Sequence, residues 1–113
     1  MLNPLRERLN AGKVCAGVLA SMPSVNVAQA LSNAGFDWLF IDMEHNSMDL
    51  DTAVQISVTA QDVGITPLVR VPGFQHFHAS RVLDGGAQGI VVPHVDTKEV
   101  ALQMVDQCKY PPV

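Results

Sequence analysis

The stretch DWLFIDMEHNSMDL, residues 37–50, decides the fold because it joins a buried strand to a polar turn. From Trp38 to Met43, every residue except Asp42 is apolar or aromatic. A short apolar run of this kind is typical of a strand in a parallel sheet, which is covered on both faces. Glu44 and His45 follow where the strand should end. They form either an ordinary polar loop or an acid–base group presented by the scaffold.

Similar apolar runs recur along the chain and predict four strands, over residues 14–20, 38–42, 66–71 and 89–95. Apolar residues at helical spacing lie between and after them, predicting helices over residues 27–34, 50–60, 77–84 and 97–108. Asp96 and Glu99 have the spacing of a capping box for the last helix. Three glycines that precede strands fit helix ends with a left-handed backbone: Gly35, Gly64 and Gly86.

This alternation predicts an α/β fold with four βα units and parallel strands joined by right-handed crossovers. A doubly wound open sheet and part of a (β/α)8 barrel both suit the pattern. A complete barrel needs about 250 residues, so a chain of 113 residues would supply half of one. The ending QCKYPPV follows a helix without a closing strand, and we expect the natural protein to continue.

Composition argues against several classes of partner. Eleven acidic and seven basic residues give a net charge of −4, and the basic residues are scattered, so nucleic acid is not expected as a partner. Cys15 and Cys108 have no CxxC spacing, which argues against a zinc site or a disulfide framework. The chain has neither a signal-peptide core nor an apolar run of about 20 residues. We expect a cytoplasmic protein that does not bind a membrane.

The carboxyl ends of parallel strands meet at one edge of the sheet, where α/β proteins bind ligands. His45, Arg70 and His94 all follow or end predicted strands. Arg70 lies inside an apolar strand, where it needs an anionic ligand or an acid such as Asp42. His45 is either solvated or an acid–base group oriented by Asp42. A metal site built from Asp42, Glu44 and His45 is the weaker interpretation.

Four segments, GFDWLFIDMEHNSMD, PLVRVP, LDGGAQGIVVPHV and KYPP, together resemble the HpcH/HpaI aldolase family over residues 5–112. These are class II, metal-dependent pyruvate aldolases that act on 4-hydroxy-2-oxo acids, such as 4-hydroxy-2-oxoheptanedioate or 2-keto-3-deoxy sugar acids. The resemblance implies a TIM barrel, with residues 1–113 forming the amino-terminal half of a single domain. It also implies a lyase that releases pyruvate and an aldehyde.

The resemblance implies a role for four residues. His45 would be the general base that acts on the substrate hydroxyl, and Asp42 would orient it. Arg70 would hold the carboxylate and C2 oxygen of the oxo acid and stabilise the enolate. Asp84 would support the His45–Asp42 pair, although an acid at the end of a helix is disfavoured by the helix dipole.

The resemblance further implies a divalent metal, Mg²⁺, Mn²⁺ or Co²⁺, whose glutamate and aspartate ligands lie on later strands, beyond Val113. We therefore expect the isolated chain to be inactive. By analogy the complete protein would be a homo-oligomer, a hexamer. Two other readings are a non-catalytic half-barrel that serves as an assembly piece, and a C–C lyase similar to the citrate lyase β-subunit, which acts on thioesters.

Overall fold

The computed structural model describes residues 2–109, with the backbone alone at His76. Its five helices are α1 (Pro4–Asn10), α2 (Asn26–Asn33), α3 (Leu50–Val63), α4 (His76–Asp84) and α5 (Lys98–Gln107). Its four strands are β1 (Gly17–Ala20), β2 (Trp38–Asp42), β3 (Thr66–Arg70) and β4 (Gly89–Val91). None of these helices has both the length and the apolar character that crossing a bilayer requires.

The four strands form one parallel sheet in the order β1-β2-β3-β4. A helix follows each strand, so the predicted four βα units are confirmed. In the register of β2 and β3, Asp42 lies directly opposite Arg70, and Arg70 lies opposite Val91 of β4. The sheet therefore brings the ends of three strands together at its carboxyl edge, while the helices end at its amino edge.

The two faces of the sheet differ in how they are covered. Leu39, Ile41 and Val69 alternate onto the face that the helices cover, where they are fully buried with residues of α3 such as Ile56. On the other face Leu19 keeps 56% of its surface exposed, and Val91 keeps 37%. The hydrophobic core thus lies between the sheet and the helices, and the second face has little cover.

The predicted helix ends are largely confirmed. Gly35, Gly64 and Gly86 all have a positive φ, at 92°, 84° and 120°. The predicted N-cap of the last helix, Asp96, was wrong by one residue. Thr97 is the N-cap, because it has the extended backbone of that position and its side chain accepts the Val100 N–H.

Three other boundaries differ from those expected. The first strand begins at Gly17 rather than at residue 14. The fourth strand ends at Val91, because Pro93 has no N–H to donate and His94 turns with a φ of 56°. Helix α1 was not predicted; its seven residues are too few to show a periodic pattern.

Helix α1 closes the amino edge of the sheet. The Asn3 side chain caps it by accepting the Arg6 N–H, and Pro4 follows as its first residue. The Leu5 N–H then donates to the buried Oγ1 of Thr66, at the start of β3. The helix is therefore anchored on the side of the sheet away from the strand ends.

Because the two faces of the sheet are covered differently, we expect a leucine-to-alanine substitution to destabilise the fold more on one face than on the other. Leu39→Ala should lower the free energy of unfolding by about 2–5 kcal/mol, because it leaves a cavity in the packed face. Leu19→Ala removes the same atoms from a largely exposed side chain and should cost about 1 kcal/mol or less. Urea unfolding of both variants measures the difference. Equal costs would show that the second face is packed as tightly as the first.

Candidate functional site

A bidentate ion pair joins the ends of β2 and β3. Arg70 Nε donates to Asp42 Oδ1 at 3.0 Å, and Arg70 Nη2 donates to Asp42 Oδ2 at 2.5 Å. The carboxylate is buried, with 5% of its side chain exposed. The hydrogen bond from Arg70 is the largest cause that lowers the pKa of Asp42, to about 2, and Asp42 in turn raises the pKa of Arg70. Of the two readings of Arg70, the structure realises the salt bridge to Asp42.

Asp42 also shapes the turn that follows its strand. Its Oδ1 accepts the backbone N–H of Glu44 at 2.9 Å and that of His45 at 3.4 Å. These bonds lower the pKa of Asp42 further, against the opposing effect of burial. The same acid therefore holds the guanidinium beside it and the turn above it.

Glu44 contacts two histidines from different turns. Its Oε1 lies 2.8 Å from Nε2 of His45, and its Oε2 lies 3.1 Å from Nε2 of His94. Arg70 Nε is 3.7 Å from Oε1. Since β3 separates the two turns in the sheet, the Glu44 side chain reaches past the end of β3 to meet His94. The sequence placed His94 near this edge but gave no sign of the pairing with Glu44.

The structure brings three of the four predicted site residues together: Asp42, His45 and Arg70. Asp42 holds His45 through its backbone N–H, whereas the imidazole pairs with Glu44, so the ring contact expected from Asp42 comes from the neighbouring acid. The His45 side chain is 66% exposed, so the ring is accessible at the edge of the sheet.

Asp84 lies away from this group. Helix α4 starts after the carboxyl end of β3 and runs back to the amino edge, and Asp84 is its last residue. There it lines a cavity with Asn3 and Arg6. Within the described chain the direction of α4 carries Asp84 to the edge opposite the His45–Asp42 pair, and its expected support of that pair stays a prediction.

The residues at the carboxyl edge do not fit a metal site. Both oxygens of Asp42 accept from Arg70, and both oxygens of Glu44 face histidine nitrogens. Among residues 2–109, apart from the side chain of His76, no group of three or more His, Cys, Asp and Glu side chains is placed to hold a metal ion. The weaker interpretation of Asp42, Glu44 and His45 as joint ligands is therefore not supported.

The lowered pKa of Asp42 predicts how stability depends on pH. A carboxyl with a pKa of about 2 when folded and an ordinary value of 3.8 stabilises the fold above about pH 4. That contribution, about 1–2 kcal/mol after solvent screening, is lost as the pH falls through 2. Asp42→Asn should therefore lower the free energy of unfolding most at pH 6, and the difference should shrink towards pH 2.

Urea unfolding between pH 6 and pH 2 measures this effect. Asp62→Asn is the matched control, since Asp62 is exposed on α3, and it should change stability by about 0.5 kcal/mol or less. A constant difference between the Asp42 variant and the unsubstituted chain across this range would contradict the prediction.

Comparison with known proteins places this chain in a family. Residues 17–113 match the family described as HpcH/HpaI aldolase/citrate lyase. A 4-hydroxy-4-methyl-2-oxoglutarate aldolase of Hapsidospora irregularis is 41% identical, over 97% of this chain and 42% of that protein. A hydroxypyruvate/pyruvate aldolase of Roseobacter denitrificans is 37% identical, over 98% of this chain and 43% of that protein.

Solved structures agree with the sequence relatives. The HpcH/HpaI aldolase from Desulfitobacterium hafniense superposes with a TM-score of 0.91 at 29% identity, over 98% of this chain and 43% of that one. Citrate synthase SbnG superposes with a TM-score of 0.92 at 32% identity, over 98% of this chain and 45% of that one. The related aldolases are TIM barrels, and the four βα units correspond to half of the eight units of such a barrel, as predicted.

The chain thus spans less than half the length of the curated relatives described above. The strands and the turns that carry Asp42, Glu44, His45 and Arg70 all lie within the matched residues. The chain belongs to the HpcH/HpaI aldolase/citrate lyase family.

Proposed function

We propose that this chain is the amino-terminal half of an aldolase domain that reversibly cleaves 4-hydroxy-2-oxo acids to pyruvate and an aldehyde. The observation that carries the proposal is the Asp42–Arg70 pair beside the exposed imidazole of His45, at the carboxyl edge of a parallel sheet. The names of the relatives, which include 4-hydroxy-4-methyl-2-oxoglutarate aldolase and hydroxypyruvate/pyruvate aldolase, support this substrate class.

Arg70 is the residue that would bind the oxo acid. Its Nε and one N–H of Nη2 are engaged by Asp42, which leaves the other N–H groups of the guanidinium to donate to a carboxylate or a C2 oxygen. Its Cζ lies 5.6 Å from the centroid of the Phe40 ring, so the guanidinium is held from two sides. A fixed cation at that point stabilises the negative charge that develops on the enolate oxygen.

His45 is the residue that would move the proton. In the cleavage direction the imidazole takes the proton of the C4 hydroxyl, the C3–C4 bond breaks, and its electron pair passes into the enolate of pyruvate. The C4 oxygen becomes the carbonyl oxygen of the leaving aldehyde. Its exposed ring lets His45 meet a substrate that Arg70 holds by the opposite end.

A divalent cation, which we expect to be Mg²⁺, Mn²⁺ or Co²⁺, supplies a Lewis acid to aldolases of this class when it is bound. The acids at the carboxyl edge do not fit that cation, since their oxygens already face Arg70 and the two histidines. Its carboxylate ligands would therefore lie outside these 113 residues. For that reason we expect the isolated chain to have no appreciable aldolase activity.

The structural similarity to citrate synthase SbnG favours a second candidate. In that case the site at the carboxyl edge would form or break a carbon–carbon bond in a citrate-like acid or its thioester. A non-catalytic assembly role is the third possibility. We further propose that the completed protein assembles into a homo-oligomer, by analogy a hexamer, and that it is cytoplasmic. Size-exclusion chromatography of the completed protein tests the oligomeric state.

Activity should depend on completing the domain. We expect the chain alone to release no pyruvate from 4-hydroxy-4-methyl-2-oxoglutarate. A chimera that adds the remaining sequence of the Roseobacter denitrificans aldolase should release it in the presence of Mg²⁺ or Mn²⁺. In that chimera His45→Gln should lower kcat/KM by about 10² or more. Arg70→Lys should also lower it, because lysine keeps the charge and loses the fork. A lactate dehydrogenase assay follows the pyruvate.

Two matched controls lie outside the site. His78→Gln and Arg81→Lys change the same residue types on α4, where Arg81 stacks over the Phe77 ring. Both should leave kcat/KM within about threefold of the starting value. Turnover by the chain alone, or equal turnover after His45→Gln and His78→Gln, would defeat the proposal. Turnover of a citrate-like substrate in place of the oxo acid would favour the second candidate.

A further inference from the structure

A cavity of about 310 Å³ lies between the turn after β2 and helix α4, next to the core beneath the sheet. Five of its lining residues are apolar: Met43, Met48, Leu50, Pro72 and Phe77. Three are polar or charged: Asp49, His78 and Arg81. Small-molecule sites have volumes of about 300–1,000 Å³ and are mostly apolar with a few polar groups. The cavity therefore has the size and lining of a site for a small ligand with an apolar body.

Arg81 is the cation of this lining. Its side chain is exposed, and its Cζ lies 5.5 Å from the centroid of the Phe77 ring. Among residues 2–109 no carboxylate lies within ion-pair distance of its guanidinium. Stacking on an aromatic ring places the guanidinium and leaves its N–H groups to donate. A carboxylate from a ligand can therefore pair with Arg81 without displacing an acid of the chain.

The other two polar groups determine which way round an acid would bind. Burial, and to a smaller extent Arg81, lowers the pKa of His78, so its imidazole is neutral at pH 7. Asp49 is the N-cap of α3, and accepting the Thr52 N–H lowers the pKa of its carboxyl, so it stays ionised. A bound acid should therefore place its carboxylate at Arg81 and keep it away from Asp49.

Two methionines form the wall on which the apolar part of a ligand would pack. The Met43 N–H donates to the carbonyl oxygen of Arg70 at 2.9 Å. The Met48 N–H donates to Oδ1 of Asn46 at 2.9 Å, and its side chain is buried. Their backbones are thus held, whereas unbranched methionine side chains adapt to the shape of what they contact. The cavity lies beside the turn that carries His45 but shares no lining residue with the site at the carboxyl edge.

We propose that this cavity is a second ligand site, which binds a small carboxylic acid with an apolar body. Arg81 pairs with the carboxylate, and the two methionines and Phe77 contact the body. The ligand is more apolar than pyruvate, because the acid must cover the methionine wall as well as reach the guanidinium. The binding does not depend on the proposed function, since none of the residues that carry it belongs to the aldolase site.

Methyl NMR of the methionines tests the site in the chain itself, with hexanoate as the probe. Hexanoate should move the signals of Met43 and Met48 with a Kd of about 1 mM. Hexanamide has the same length and no charge, so it should bind about fivefold more weakly or worse. Acetate keeps the charge and lacks the apolar body, so it should also bind more weakly than hexanoate.

Variants separate the charge of Arg81 from its other contacts. Arg81→Gln should weaken the binding of hexanoate about fivefold or more, whereas Arg81→Lys keeps the charge and should retain most of the affinity. The matched control is Arg6→Gln, which makes the same change at an exposed arginine of α1. It should leave the Kd within about twofold of the starting value. Equal weakening by Arg81→Gln and Arg6→Gln would overturn the proposal.

Two outcomes in the unsubstituted chain would also overturn it, and neither needs a variant to fold. One is equal binding of hexanoate and hexanamide, which would show that Arg81 does not recognise the carboxylate. The other is movement of the signals of Leu19 and Val91 in place of the methionines, which would place hexanoate on the uncovered face of the sheet. Absence of aldolase activity in the completed protein would bear on the proposed function and leave these results standing.

Discussion

The salt bridge between Asp42 and Arg70 is the interaction on which the carboxyl edge of the sheet depends. An arginine that ends an apolar strand is tolerated because a carboxylate lies directly opposite it in the register of the neighbouring strand. Removing either partner would leave a partly buried charge without its counterion, which costs more than the pair contributes. The requirement for this pair therefore fixes β2 against β3 at the point where both strands end.

Asp42 and Glu44 are two residues apart but make different contacts, because Asp42 ends a strand and Glu44 lies in the turn that follows it. Asp42 faces the next strand, so its short side chain meets Arg70 and its remaining acceptor capacity holds the turn amides. Glu44 stands beyond the strand end, where its longer side chain reaches the turn after β4. Asp42 positions the guanidinium of Arg70, and its hydrogen bonds to the turn amides position the backbone that carries Glu44.

The sequence predicted what depends on local pattern. The apolar runs located four strands, and Gly35, Gly64 and Gly86 marked the ends of helices, because these features require little more than burial and backbone conformation. Asp84 is the last residue of a helix that follows a strand, so it lies at the amino edge, and this position follows from the helix prediction itself. The role that the resemblance implies for Asp84 stays a prediction.

What the sequence could not predict depends on side-chain reach and on local competition. The Glu44–His94 contact requires a left-handed residue in the turn after β4, and nothing in the letters PHV specifies it. Asp96 and Thr97 both have side chains able to cap α5, and the choice depends on which residue takes the extended backbone. The only sequence features that mark helix α1 are Asn3 and Pro4. Two residues are too short a signal to predict a helix without knowledge of the sheet on which it packs.

The uncovered face of the sheet connects the fold to the strength of the site. Arg70 alternates onto the same face as Leu68, and in a closed barrel that face is the interior. Cover from further strands would remove water from around Arg70, whose side chain is now 26% exposed. Charged pairs act more strongly where water is excluded, so the Asp42–Arg70 pair would hold its geometry more firmly there. The apolar side chains that lack cover here, Leu19 and Val91, lie on that same face, so further strands on this face would both complete the core and remove water from around the guanidinium of Arg70.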